Sequence, residues 1–133
     1  MKTNALFTLL LAATIALAMG CGTGDNWQSK IAGSYKGIIS NGGDEYPATT
    51  TFKTAEGKVS GNYSLDVGGM EYTGDLSKFT PNGERSFKSR WHDNMDRKGN
   101  FSMTFSPDGS SFKGKWDADD GDGDGEWNGK KTK

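Results

Sequence analysis

From Ile31 onward, apolar and polar residues alternate almost without interruption to the end of the chain. Ile31, Gly33, Tyr35, Gly37 and Ile39 share one side of a period of two, and Asn41-Gly42-Gly43-Asp44 turns the chain. Tyr46, Ala48, Thr50 and Phe52 make the next face, with Pro47 at the strand start, where a missing N–H is tolerated. Ala55-Glu56-Gly57 leads to Val59, Gly61, Tyr63, Leu65 and Val67, and Gly68-Gly69 leads to Met70, Tyr72, Gly74 and Leu76. After Thr80-Pro81-Asn82-Gly83 come Phe87, Ser89 and Trp91, then a longer turn from His92 to Gly99, then Phe101, Met103 and Phe105. Pro107-Asp108-Gly109 opens a last hairpin, in which Phe112, Gly114 and Trp116 are answered by Trp127 and Gly129. The intervening positions are polar, as in Lys58, Ser60, Asn62, Ser64 and Asp66. A period of two puts one residue set on each face of a strand. One wet face and one dry face mean antiparallel sheet.

Eight such strands joined by short turns predict an all-β fold, a single up-and-down antiparallel meander. Closing it into an eight-stranded barrel buries the dry face and abolishes the edges. An internal echo supports hairpins placed side by side: Gly61-Asn62-Tyr63-Ser64-Leu65 is matched by Gly99-Asn100-Phe101-Ser102-Met103, and each precedes an aromatic-x-glycine strand. Inward glycines make room beside bulky rings and let coiled strands pass. Aliphatic residues are scarce beyond Cys21, so aromatic rings must supply most of the burial. Gly33-Ser34-Tyr35-Lys36-Gly37 resembles the glycine-x-aromatic first strand of the calycin group, the lipocalins and avidins, with Tyr where Trp is commoner. The resemblance implies an up-and-down barrel, and it implies no biotin site.

The chain begins differently. Lys2 supplies a positive start, and Ala5 to Leu17 is an apolar run of signal-peptide length. Leu17-Ala18-Met19-Gly20-Cys21 resembles the lipobox of bacterial lipoproteins, with Ala18 where Leu is usual. The resemblance implies cleavage before Cys21 and its acylation. Ala16-Leu17-Ala18 also offers a site for ordinary secretion, and a retained helix is the third reading. Cys21 is the only cysteine, without an internal disulfide partner, which favours lipidation. The expected division is therefore a signal peptide over 1–20, a tether over 21–30 and the barrel over 31–133. Trp27 would cap the barrel or sit at a bilayer interface. Gly22 is not the Asp associated with inner-membrane retention in enteric bacteria, which inclines the expectation to the outer membrane.

Charge narrows the function. The formal net charge of −1 argues against a dedicated nucleic-acid binder. Asp120-Gly121-Asp122-Gly123-Asp124-Gly125 has the D-x-D-x-D-G opening of a calcium loop, so Asp120, Asp122 and Asp124 are candidate ligands for weak calcium binding. Lys131 stands where such a loop needs a bidentate Glu, and a solvated turn is the competing expectation. His92, the one histidine, has Asp93 and Asp96 nearby but too few partners for zinc and no G-x-S-x-G serine. Arg85, Lys88, Arg90, Arg97 and Lys98 read as a solvated face, or as a contact for anionic head groups or glycans.

The inward rings Tyr35, Tyr63, Tyr72, Trp91, Phe112, Trp116 and Trp127 are the candidate ligand-binding set. An eight-stranded barrel is just wide enough either to be filled or to hold one small ligand, and in so small a domain filled is the default. The sequence thus predicts a non-enzymatic, monomeric, lipid-anchored envelope module, with no cofactor beyond weak calcium. Its partner is a small apolar or aromatic ligand in the barrel mouth, or else an envelope protein met by the outer face and loops.

Overall fold

The computed structural model describes residues 28–132. The signal peptide, Cys21, Trp27 and most of the expected tether lie outside the described residues. Eight strands run in chain order: β1 (Gly33–Asn41), β2 (Asp44–Ala55), β3 (Lys58–Val67), β4 (Met70–Gly83), β5 (Ser86–Asp93), β6 (Lys98–Phe105), β7 (Ser111–Ala118) and β8 (Asp124–Lys131). Each pairs antiparallel with the next, and β8 returns to β1 with Gly37 opposite Gly129 and Ile39 opposite Trp127. The barrel is closed. The meander and its closure are therefore as the alternation predicts, and the architecture is consistent with a calycin-like fold.

Three reversals are two-residue turns with both central φ angles positive: Gly42-Gly43, Glu56-Gly57 and Gly68-Gly69. Those angles match the twist of the flanking strands, which is why glycine dominates there. The expected turn at Thr80 to Gly83 is placed differently. β4 runs on through Gly83, and the chain reverses at Glu84-Arg85. The register of β4 against β5 slips between Ser77 and Thr80, with Lys78 at φ 55°. Such a bulge inserts unpaired residues and re-aims the strand. It brings Phe79, which simple alternation does not assign, against Phe52 and Phe87.

Alternation carries through to burial. Tyr35, Phe52, Phe101, Phe105, Phe112 and Trp127 are among the most buried side chains. Met70 departs from its expected inward place; at the end of its hairpin it is 62% exposed. Large rings stand opposite glycines across the ladder, as in Phe112 with Gly129, Trp127 with Gly114, and Tyr63 with Gly74. At Gly74 the reason is visible: a Cβ there would lie 2.4 Å from the Tyr63 hydroxyl. The outer face carries lysine, serine, asparagine and aspartate, the reverse of the apolar band on a membrane-spanning barrel.

One end of the barrel is sealed. Gln28 to Lys30 make a helical turn rather than a plain tether, closed by the Ile31 N–H donating to Gln28 O at 3.2 Å. It delivers the fully buried Ile31 to the base. The turn between β6 and β7 crosses this segment at Gly109, where φ is +75° and a Cβ would meet Lys30 O at 2.7 Å. Only glycine combines that backbone with that approach. The Tyr35 hydroxyl is shared between Ile31 O at 2.8 Å and Gly109 O at 2.5 Å, tying both segments to β1. Above them Phe52 meets Phe79, Phe105 and Phe112 edge-on, with centroids 5.1–6.1 Å apart. That geometry is what ring quadrupoles favour.

Candidate functional site

The opposite end is open. The turns β1–β2, β3–β4 and β5–β6 and the acidic loop between β7 and β8 surround a pocket of about 160 Å³. Trp91, Trp116 and Trp127 wall it together with Tyr46, Tyr63 and Tyr72, and Ile39, Leu65 and Val67 complete the apolar lining. Asn41, Asp93 and Arg97 are its polar members. A cavity of about 150 Å³ is known to hold a benzene ring.

Each indole is pinned by its own N–H. Trp116 Nε1 donates to Ser40 O at 2.9 Å, Trp91 Nε1 to Asp117 O at 3.0 Å, and Trp127 Nε1 to Thr50 Oγ1 at 2.9 Å. With those donors consumed, what the three rings offer the pocket is carbon π-surface. Trp91 and Trp116 meet edge to face at 5.7 Å, while Phe101 stacks on Trp127 at 4.0 Å and closes the floor.

Tyr63 is the exception among the buried polar groups. It is 5% exposed, and its hydroxyl has no hydrogen-bond partner among the described residues. Burial, and then the negative charges of Asp93 and Asp75, push its pKa well above the usual phenol range, with Arg97 acting in the opposite sense. The hydroxyl is thus a neutral phenol. Asp93 holds the β5–β6 turn: its Oδ1 accepts the N–H of Met95 at 2.9 Å and of Arg97 at 2.8 Å.

Of the expected ligand-binding rings, Tyr63, Tyr72, Trp91, Trp116 and Trp127 come together at the mouth. Tyr35 and Phe112 do not; they belong to the sealed half, because their strand positions lie toward the base. Tyr46, Asp93 and Arg97 were not in the expected set. Inward parity marks Tyr46 and Asp93, but only the turn geometry carries Arg97 to the rim.

The acidic loop does not gather its three aspartates. Among the described residues no group of three or more His, Cys, Asp or Glu side chains is arranged as for a metal ion. Asp120 Oδ1 accepts the Asp122 N–H at 2.8 Å, and Asp124 opens β8 opposite Asp117. Arginines from the neighbouring hairpin take up the charge. Arg90 grips Asp119 with both Nη atoms, which holds that carboxyl below the usual range. Arg97 Nη2 donates to Asp122 O at 2.7 Å and lies 3.9 Å from Asp120 Oδ1. Two members of the expected basic face are thus engaged within the fold. His92 does pair with a carboxylate, Asp96, at 2.9 Å, but on the outer surface and not among the pocket walls. That contact lowers the Asp96 pKa.

Compared with known proteins, the chain matches no protein-family model and no curated sequence.

Proposed function

We propose that this chain is a non-enzymatic binding module, anchored by lipid to the cell envelope, that holds a small apolar or aromatic ligand in the barrel mouth. The observation that carries the reading is the division of the interior: a base packed with rings and a mouth whose rings leave about 160 Å³ between them. The site has the concave, mostly apolar form of small-ligand pockets, but lies below the ~300–1,000 Å³ of drug-sized sites and so suits a group no larger than a single ring. The anchor reading rests on the lipobox-like segment at Cys21 and fits the direction of the chain. Residues 28–31 leave the barrel at its sealed base, so chains on Cys21 would tether the base and leave the mouth facing away from the bilayer. Two acyl chains anchor stably where one is marginal. The non-enzymatic reading rests on where the one histidine lies, on the outer face and away from the pocket.

Native mass spectrometry of the protein purified from its own host tests both parts together, because acylation and a retained ligand each add a defined mass. An unmodified chain from the soluble fraction overturns the anchor, as does normal maturation of Cys21→Ala. A protein that arrives empty, and then shows no tryptophan fluorescence change across a library of single-ring compounds, overturns the pocket reading. A second reading, docking to an envelope protein by the rim, has one observation in its favour. Met70 and Met95, 62% and 63% exposed, stand on two of the turns around the mouth.

A further inference from the structure

The near-zero net charge conceals a strong segregation along the barrel axis. Around the mouth stand Asp44 and Glu45 at the start of β2, Asp66 and Glu71 on either side of the β3–β4 turn, and then the acidic loop. Lysines gather at the sealed end instead, where Lys30, Lys53, Lys58, Lys113 and Lys130 are all exposed and outnumber the acids of its turns, Glu56, Glu84 and Asp108. The arginines near the mouth are drawn into the acidic loop, Arg90 by Asp119 and Arg97 by Asp122 and Asp120, while Lys98 stands exposed at the start of β6. A pocket inside such a rim sits in a negative potential, and a low-dielectric cleft focuses that field.

Apart from the Arg97 guanidinium, whose Nη2 is taken up by Asp122 O, the walls have the same sign. The face of an aromatic ring carries negative charge density, strongest in tryptophan, and attracts an ammonium group within ~6 Å of its centre. Three indoles with their N–H donors already satisfied and three phenols surround the cavity, and the Asp93 carboxylate stands among them. Its Oδ1 is held by two backbone N–H groups, which leaves Oδ2 for a ligand.

We propose that the mouth pocket takes a small organic cation, an alkylammonium or quaternary ammonium group seated among Trp91, Trp116, Trp127 and Tyr46, with Asp93 as its counter-charge. The proposal rests on the reading of the mouth as a ligand site and adds the charge of the ligand. A purely apolar ligand would use the rings but waste the rim. An anionic one would meet Asp93 and the acidic turns on its way in.

The test sets choline against its neutral carbon isostere, dimethylbutanol, on the full-length protein, followed by tryptophan fluorescence and calorimetry. Choline should bind about tenfold tighter than the isostere, in line with a desolvated cation–π contact. Phosphocholine, which adds a phosphate, should bind more weakly than choline. Asp93→Asn keeps the Oδ1 that holds the turn and removes only the charge. It should erase most of the preference for choline over the isostere. Arg97→Gln should act in the opposite sense and tighten choline by about threefold, as expected when a like charge is removed from a partly exposed site. Equal binding of choline and isostere overturns the cation while leaving the pocket reading intact, and a preference that survives Asp93→Asn overturns Asp93 as its counter-charge. If neither probe binds and no compound in the single-ring library binds, the pocket reading itself is overturned.

Discussion

The two halves of this barrel are built from the same alternation and end in opposite states. In the basal half the inward rings are mainly phenylalanine, with Phe52, Phe87, Phe105 and Phe112 all 3% exposed or less. A phenyl ring has no polar atom to satisfy, so it can turn to whatever edge-to-face contact fills space. In the mouth half the rings are tryptophan and tyrosine, and each indole N–H is tied to an oxygen of a nearby strand or loop. A ring held to the wall by its own hydrogen bond cannot swing inward to close the gap. The polar handles of the upper rings thus hold them against the wall around the cavity.

Large-to-small substitution should expose that difference most strongly. Phe112→Ala removes a ring packed against Tyr35, Phe52, Phe101 and Phe105. It should destabilise by about 4–5 kcal/mol in chemical denaturation, toward the upper end for buried aromatics. Trp116→Ala removes a larger ring, yet one side of that ring already borders the pocket. Its cost should sit at the lower end, about 3 kcal/mol. If Trp116→Ala proves the more damaging, the mouth is no looser than the base and the comparison fails.

Deleting one hydroxyl from each half sharpens the contrast. Tyr35→Phe leaves the carbonyls of Ile31 and Gly109 without their donor at the seal. The expected loss is about 1–3 kcal/mol, the usual penalty for orphaned buried groups. Tyr63→Phe removes a hydroxyl that has no partner among the described residues, and should be neutral or slightly stabilising. Equal losses in thermal melts would mean that the Tyr63 hydroxyl is satisfied in solution.

The base has an acid-sensitive turn of its own, as the mouth has at Asp96 and Asp119. Hydrogen bonds from Ser110 and Ser106 lower the Asp108 pKa from 3.8 to about 2. Because the folded value lies below the unfolded one, the ionised turn contributes stability above pH ~4 and loses it as pH falls toward ~2. Asp108→Asn should therefore flatten the acid limb of the stability curve over that window. An unchanged limb would show that the turn bonds are not held in solution. The smallest effects belong to the outer face: Lys115→Ala, one residue from Trp116 and exposed, should cost under about 0.5 kcal/mol. Calcium should likewise shift the melting temperature no more than matched magnesium does, since Arg90 and Arg97 already face the acidic loop. A calcium-specific rise would show that the aspartates can gather after all.

The sequence alone determined the strand count, the faces and most of the turns, because each depends on local chemistry. A period of two assigns Tyr63 and Trp127 inward whatever surrounds them, and Gly42-Gly43 or Gly68-Gly69 can be read as tight reversals from the φ they permit. Inward, however, is not the same as lining a site. Tyr35 and Phe112 satisfy the same pattern as Trp91 and Trp116, and only their height along a closed barrel separates the packed base from the open mouth. The bulge at Lys78 escapes alternation, since it comes from fitting β4 onto β5, and Phe79 goes with it. The acidic loop shows the limit most clearly. Its D-x-D-x-D-G spacing suggests convergence on a cation, but the sheet places Arg90 of β5 and Arg97, just before β6, beside the loop that joins β7 to β8. Those partners lie more than twenty residues away in the chain, and the pairing of β5 with β6 and of β6 with β7, which lines up Arg90, Asn100 and Asp117, brings them there.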